Sequence, residues 1–300
     1  MLQKYDSRND NLIVNVGGEL SHRDQARISP FDSLAQGGDG VWEGLRLYNG
    51  KIFRLDAHLS RLRSSALALA IKDIPSDEEM TNQIARTLKA NDMTDGVHIR
   101  LTLSRGEKIT SGMDPRLNTK GSLLIVLAEY KPPVYDRSGL RLMTSTVRRF
   151  RPDTLDPNIH HNNLVQSILA KIQANAAGVD DALMLDTQGF VAETNATHVF
   201  IVEGGVLKTP TTRACPEGIT RDTVLALCDK HKIPYAVEDI SLTAVYRATE
   251  MFCTGTMGEI AAVAEVDGRK IGTGEKGEMS SKISKLYQDY VKIEGSQVCD

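Results

Sequence analysis

Two short segments of the sequence contain residue types that bind phosphate. Gly218-Ile219-Thr220-Arg221 opens a predicted helix, where free backbone N–H groups, the helix dipole and the Thr220 hydroxyl favour an anion. Thr254-Gly255-Thr256 follows an apolar run and suits a backbone nest for the same anion. By itself, each segment is more often an ordinary turn or helix cap.

Two charged side chains suggest what else such a ligand contains. Arg61, in His58-Leu-Ser-Arg61-Leu62, has the guanidinium fork for a charge-assisted contact to phosphate. Glu193 has the carboxylate that would keep a pyridine nitrogen protonated. A surface helix arginine and an exposed turn glutamate are the alternatives. Together with the two segments, these side chains favour a phosphorylated ligand with an aromatic, nitrogen-containing ring.

The composition favours small-molecule chemistry. A net charge of −3 gives no basic field for nucleic acid and no polybasic patch for a membrane. We expect a cytoplasmic location, because the N-terminus lacks a signal-peptide pattern and no long apolar run occurs, although an organellar location after removal of a transit peptide stays open. No Cys-x-x-Cys spacing occurs among the four cysteines, which fits a reducing compartment: Cys215, Cys228, Cys253 and Cys299.

The elements that must position these residues follow from the apolar periodicity and the turn residues. In the first half, we predict strands and hairpins at 12–20 and 45–55, helices at 56–71 and 77–91, and strands at 97–104 and 121–129. In the second half, we predict strands at 140–148 and 181–186, a hairpin at 197–209, strand and turn at 249–264, and helices at 162–177, 219–231 and 279–292. These elements predict an α+β fold.

A proline pair predicts the domain boundary. Pro132-Pro133 removes two backbone donors and forces an extended chain. We therefore predict a small N-terminal domain at 1–131, an interdomain linker at 132–138 and a larger C-terminal domain at 139–300. A cleft between the two domains is the expected binding site.

In this order and spacing, the motifs resemble class IV aminotransferases, the fold-type IV pyridoxal-phosphate enzymes of branched-chain and D-amino-acid transamination. The resemblance covers nearly the whole chain, and Trp42–Arg46 and His98-Ile-Arg100 look more like the branched-chain branch. The carboxylate trap of the D-amino-acid branch has no counterpart, because the matching loop reads Thr110-Ser-Gly112. The matching segments are Gly38–Arg46, His58–Leu62, Ser104–Gly106, Leu169–Lys171, Val191–Phe200, Gly218–Arg221 and Phe252–Glu259.

The resemblance implies a two-domain fold-type IV protein, with pyridoxal 5'-phosphate or pyridoxamine 5'-phosphate bound at the domain interface. It places Glu193 at the ring nitrogen and implies an amino or oxo acid substrate and a homodimer. The residues implied at the phosphate are Arg61, Ile219, Thr220 and Thr256. Those implied on the substrate side are Trp42, His98, Arg100, His161 and His198, of which His198 replaces the family's usual asparagine.

One position departs from the family. There, the lysine that forms the Schiff base with the cofactor lies eleven residues before the lysine of the Leu-Ala-Lys segment, and counting back from Lys171 reaches His160. An imidazole cannot form a stable Schiff base with an aldehyde, and residues 132–170 contain no lysine. We therefore expect noncovalent cofactor binding, with conventional transamination weak or lost.

Three interpretations of His160 compete. It is a general base that performs the proton shift of the missing lysine, a metal ligand with His161 and either His98 or His198, or a space-filling residue of a retired site. We favour the base and an enzyme. The alternative functions are a cofactor-free hydrolase or lyase that uses His160 and His161, and a non-catalytic ligand-binding pseudoenzyme.

Overall fold

The structure is a computed structural model that describes residues 5–132 and 139–299. Its contacts divide these residues into two compact units. The first unit comprises residues 5–132, 159–163 and 291–299, and the second comprises 139–158 and 164–290. His160 thus belongs to the first unit. The predicted linker at 132–138 falls almost entirely on residues 133–138, outside the described residues, and the domain boundary stays a prediction.

The first unit contains a seven-stranded antiparallel sheet in the order β16-β4-β3-β5-β6-β1-β2, numbered along the chain. Asn49-Gly50 forms the turn between β3 and β4, as predicted. The strands are β1 Ile13–Val16, β2 Glu19–His22, β3 Gly40–Tyr48, β4 Lys51–Ile52, β5 Val97–Ser104, β6 Leu123–Tyr130 and β16 Ser296–Gln297. The helices are α1 Ser33–Gly37, α2 Leu55–Ala68 and α3 Asp77–Ala90.

The register of β3 against β5 decides which side chains share a face. Trp42 stands opposite Thr102 and Gly44 opposite Arg100, so Trp42 and Arg100 project from the same face of the sheet. Glu43 projects from the other face, where α2 packs on β3. That second face is covered by apolar side chains of α2, α3 and the strands, among them Leu45, Leu59, Leu62, Ile84, Leu88, Ile99, Leu101 and Val126.

The second unit contains a nine-stranded mixed sheet in the order β12-β11-β10-β13-β14-β7-β8-β9, with β15 paired to β14. Its strands are β7 Leu140–Thr144, β8 Asp181–Leu185, β9 Val191–Thr194, β10 His198–Glu203, β11 Val206–Thr209, β12 Tyr235–Val237, β13 Glu250–Gly255, β14 Glu259–Val266 and β15 Arg269–Lys270. Its helices are α4 Val165–Ala176, α5 Ile219–His231, α6 Leu242–Arg247 and α7 Glu278–Ile293. Short 3-10 turns lie at Ser7–Asn9, Pro115–Leu117 and Thr212–Ala214. No described helix is long and apolar enough to cross a membrane.

The predicted helices are confirmed with shifts at their ends, and the short helices α1 and α6 were not predicted. The strands and hairpin predicted at 12–20 are the pair of β1 and β2, between which Gly17 and Gly18 turn the chain with positive φ. The strand predicted at 140–148 ends at Thr144. The helix predicted at 162–177 begins only at Val165, because residues 160–162 bond to β3 instead.

Helix α2 supplies a test of the first unit's core. Leu62 is 0% exposed and Leu67 is 64% exposed on the same helix. We expect Leu62→Ala to lower the free energy of unfolding by about 2–5 kcal/mol, because it leaves a cavity. The matched variant Leu67→Ala should change it by less than about 0.5 kcal/mol. Chemical denaturation measures both, and equal losses would contradict this packing of α2.

Candidate active site

The start of α5 is shaped by a histidine that packs against a glycine. Gly218 precedes α5 with φ +55°, and a Cβ there would lie 2.4–2.9 Å from three atoms of the His198 ring. His198 Nε2 donates to the Pro216 carbonyl oxygen at 2.6 Å, which holds the ring in place. No described side chain caps this helix end, so the N–H groups of its first turn, including those of Ile219 and Thr220, suit an anion.

The second predicted phosphate segment adjoins the first through the same histidine. Thr254 stands opposite His198 in the β10–β13 pair, so His198 contacts both segments. The Thr254 hydroxyl is buried and has no hydrogen-bond partner among the described residues. Gly255 lies so close to Thr197 that a Cβ there would be 3.2 Å from the Thr197 methyl group. An uncapped helix start beside a buried hydroxyl without a partner fits a group rich in acceptor oxygens, such as phosphate.

Glu193 is a buried carboxylate on β9, with a partner that the sequence pattern did not reveal. Arg149 Nη2 lies 2.7 Å from Glu193 Oε1, and the same guanidinium donates to the Ala214 carbonyl oxygen and the Ser167 hydroxyl. Because Arg149 compensates the buried charge and is itself held in place, Glu193 is oriented as an acceptor. A fixed carboxylate fits the N–H of a protonated pyridine ring.

The first unit contains a second buried carboxylate, Glu43, which is 0% exposed. Arg61 donates to both of its oxygens, from Nε at 2.8 Å and from Nη2 at 2.7 Å, and His58 Nδ1 lies 2.7 Å from Oε2. Burial alone would raise the pKa of Glu43, but the charge and hydrogen bonds of Arg61 and His160 hold it well below its usual range. Burial also lowers the pKa of His58. Glu43 is therefore ionised and His58 neutral.

His160 is attached to β3 by backbone and side chain. Its Nδ1 lies 2.5 Å from the Trp42 carbonyl oxygen and 3.5 Å from Glu43 Oε1. Its N–H donates to the Ser65 hydroxyl at 3.1 Å, and its carbonyl oxygen accepts from the Trp42 N–H at 3.0 Å. The imidazole stacks on the Trp42 indole with ring centroids 4.5 Å apart. A half-buried imidazole beside a carboxylate can take up and release a proton.

The opposite face of this sheet carries the predicted substrate-side residues. The Arg100 guanidinium lies 3.9 Å over the Trp42 ring and donates from Nη2 to Asn162 Oδ1 at 2.9 Å. The Trp42 indole N–H donates to the His161 carbonyl oxygen at 3.1 Å. A cavity of about 390 Å³ is lined here by Leu34, Gly38, Arg100, Thr102, Ile125, Leu127 and Asn162.

Three side chains on this face have a buried nitrogen that is unsatisfied. Asn162 Nδ2, His98 Nδ1 and Arg46 Nε have no hydrogen-bond partner among the described residues. Burial, with the charges of Lys131, Arg46 and Arg100, lowers the pKa of His98 to about 3, so this imidazole is neutral. The sequence pattern did not indicate Asn162 as a site residue, although it lies two residues after His160.

The structure brings the predicted residues together in two groups. Its first unit holds Trp42, Arg61, His98, Arg100, His160 and His161, and its second holds Glu193, His198, Ile219, Thr220 and Thr256. The contact of Arg61 with phosphate stays a prediction, as do the other assigned roles. In the structure, the Arg61 guanidinium donates to both oxygens of Glu43. Within residues 5–132 and 139–299, no group of three or more His, Cys, Asp and Glu side chains could hold a metal ion.

The chain has two sheets with their helices, an uncapped helix start that suits phosphate, and buried carboxylates. These features define a fold-type IV architecture, and comparison with known proteins confirms it. The chain superposes on the T.th. branched-chain amino acid aminotransferase complexed with N-(5'-phosphopyridoxyl)-L-glutamate with a TM-score of 0.87 and 30% identity, over 94% of each chain. On the Escherichia coli branched-chain amino acid aminotransferase it superposes with a TM-score of 0.88 and 25% identity, over 95% of this chain and 96% of that one.

Residues 40–266 match the amino-transferase class IV family, and this chain belongs to that family. It is branched-chain-aminotransferase-like. It is 40% identical to a putative branched-chain-amino-acid aminotransferase of Methanocaldococcus jannaschii, over 96% of this chain and all of that one. It is 50% identical to branched-chain-amino-acid aminotransferase-like protein 2 of Arabidopsis thaliana over 93% of this chain. The chain spans about half the length of this relative and of branched-chain-amino-acid aminotransferase-like protein 1 of Arabidopsis thaliana.

The contact between His198 and Gly218 predicts a position-specific cost of adding a methyl group. Gly218→Ala should lower the free energy of unfolding by about 1–3 kcal/mol more than Gly204→Ala, because only position 218 adds a clash to the positive φ. Gly204 is the matched control, since its φ is +60° and a Cβ there meets nothing within 4 Å. Chemical denaturation measures both variants.

A double variant separates the clash from the backbone strain. Combining Gly218→Ala with His198→Ala should cost less than the sum of the two single changes, because the alanine then has room. Additive losses, or equal losses at positions 218 and 204, would show that the His198 ring does not define the start of α5.

Proposed function

We propose that this chain is a class IV aminotransferase-like enzyme that binds pyridoxal or pyridoxamine 5'-phosphate noncovalently and acts on an amino or oxo acid, with His160 as the proton-transfer base. The observation that carries the proposal is the setting of His160. Its Nδ1 faces both the Trp42 carbonyl oxygen, at 2.5 Å, and Glu43 Oε1, at 3.5 Å, and residues 132–170 contain no lysine.

In this proposal, the second unit binds the phosphate and the ring of the cofactor. The first turn of α5, with Ile219 and Thr220, and the turn at Thr256 hold the phosphate, and Glu193 accepts from the ring N–H. We also assign Arg61 to the phosphate, as the family resemblance implies. The uncapped helix start, the unpartnered Thr254 hydroxyl and the Arg149–Glu193 pair support this assignment.

Noncovalent retention is energetically reasonable. Charge-assisted hydrogen bonds contribute roughly 1.5–3 kcal/mol each. Several of them can reach the roughly −8 kcal/mol of a micromolar site after the cost of association. A covalent link is therefore not needed for occupancy. When bound, the cofactor supplies an electron sink that stabilises the charge left as the substrate loses its α-proton.

The remaining steps belong to this chain's own side chains. His160 accepts the α-proton of an amino acid, or returns a proton in the opposite direction, as a base held beside a carboxylate. Arg100 and Asn162 present a guanidinium and an unpaired amide N–H, the donors that a substrate carboxylate requires. Trp42 stacks against both His160 and Arg100 and so keeps them in place.

We further propose a homodimer, following the family, while the cytoplasmic location stays a prediction from the sequence. No observation favours the cofactor-free hydrolase or lyase, or the non-catalytic pseudoenzyme. Both remain outcomes of the experiments below.

The cofactor proposal is tested by titrating the purified chain separately with pyridoxal and pyridoxamine phosphate, then reducing with borohydride and measuring the intact mass. We expect saturable binding of roughly micromolar Kd and no covalent adduct. A reduced cofactor attached to a lysine would overturn noncovalent binding. Absence of any binding would overturn the cofactor proposal and favour the cofactor-free alternative.

A variant tests whether position 160 faces the cofactor. His160→Lys should acquire a borohydride-stable cofactor adduct, located at residue 160 by peptide mass spectrometry, because the amine then stands where the family has it. His161→Lys is the matched control, since it places the same amine one residue away, and it should acquire none. No adduct at residue 160, or adducts of equal yield in both variants, would contradict the assignment.

A further inference from the structure

We infer that Glu43 is a positioning residue of His160: together with the Trp42 carbonyl oxygen it fixes the imidazole with its proton on Nδ1, so that Nε2 is the atom that accepts the substrate proton. This inference rests on the proposed role of His160 as the base. It assigns a function to the buried cluster of Glu43, His58, Arg61 and His160 that goes beyond packing.

The position of the proton follows from the chemistry of the partners. His160 Nδ1 lies 2.5 Å from the Trp42 carbonyl oxygen, and a carbonyl oxygen can only accept. The second group near Nδ1 is Glu43 Oε1 at 3.5 Å, and a carboxylate also accepts. Nδ1 must therefore carry a proton in either charge state of the ring. In the neutral ring, Nε2 then carries no proton, and its lone pair can act as a base.

Glu43 can act on His160 because its own partners keep it ionised and oriented. Arg61 donates to both carboxylate oxygens, and His58 Nδ1 lies 2.7 Å from Oε2. These contacts hold Oε1 at 3.5 Å from His160 Nδ1.

The main chain around His160 keeps the ring from turning away. The Trp42 N–H donates to the His160 carbonyl oxygen, the His160 N–H donates to Ser65, and the Asn162 N–H donates to the Gly40 carbonyl oxygen at 2.9 Å. These bonds attach the segment to β3 on one side and α2 on the other. The ring is held by its backbone, by Nδ1 and by the Trp42 stack, and none of these hydrogen bonds uses Nε2.

Four charged or titratable side chains surround His160. They are Glu43 from β3, His58 and Arg61 from α2, and Arg100 from β5, which lies over the Trp42 ring on which His160 stacks. Among them, the Glu43 carboxylate lies near the ring nitrogen, with Oε1 3.5 Å from His160 Nδ1. Removing that carboxylate should therefore loosen the orientation of the ring.

The first test needs neither cofactor nor activity. Nitrogen-15 NMR of the histidine-labelled chain should show Nδ1 of His160 with the shift of a protonated nitrogen and Nε2 with that of an unprotonated one at alkaline pH. The signal is assigned by its loss in His160→Gln. A proton on Nε2 instead of Nδ1 would overturn the inference, and this result does not depend on whether the proposed function is correct.

The second test uses Glu43→Gln with bound pyridoxal phosphate, followed as exchange of the α-hydrogen of an amino acid with deuterated solvent. We expect the rate to fall roughly 10-fold and KM to change little. Glu43→Asp, which keeps the carboxylate, should restore most of the rate. Asp39→Asn is the matched control, because it also breaks a carboxylate–arginine fork in the first unit, with Arg105, and should leave the rate unchanged.

The outcomes separate the two proposals. An unchanged rate in Glu43→Gln would overturn the positioning role even if His160 is the base. A rate in His160→Gln equal to that of the unmodified chain would overturn the proposed function itself. Should Glu43→Gln fail to fold, a proton on Nε2 of His160 in the unmodified chain would still overturn the inference.

Discussion

The first unit depends on the burial of one carboxylate. Glu43 has no exposed surface, and an isolated charge in that position would cost several kcal/mol, so its neighbours must compensate it. Arg61 and His58 do so from one face of α2, which fixes the rotation of that helix against β3. Because adjacent residues of a strand face opposite sides, the same register sends Trp42 to the other face, where Arg100 stacks on it.

The cluster also explains how a histidine can stand where the resemblance to the family implies a lysine. A lysine is a flexible chain with a charged end, whereas His160 is a rigid ring held by the Trp42 carbonyl and the Ser65 hydroxyl. In the proposed function, the covalent attachment of the cofactor is absent, and the transfer of a proton is the task of a ring that lies beside an ionised carboxylate.

Local signals predicted much of the fold, and tertiary pairings account for what was missed. The start of α5 at Ile219 followed from Gly218, and the β3–β4 turn from Asn49-Gly50, because those glycines act through their own backbone. The pairs Arg149–Glu193 and Arg100–Asn162 join residues 44 and 62 positions apart, so no local pattern could reveal them. The phosphate contact of Arg61 stays a prediction, and its observed bond to Glu43 depends on how α2 packs on the sheet.

The most direct test of the account is the rate at which the chain loaded with pyridoxal phosphate exchanges the α-hydrogen of an amino acid with deuterated solvent, compared between the unmodified protein and His160→Gln at equal cofactor occupancy. If His160 is the base, the variant should lose roughly 10²–10⁴-fold of the exchange rate while its affinity for the cofactor changes little. Equal exchange rates in the two proteins would contradict the account.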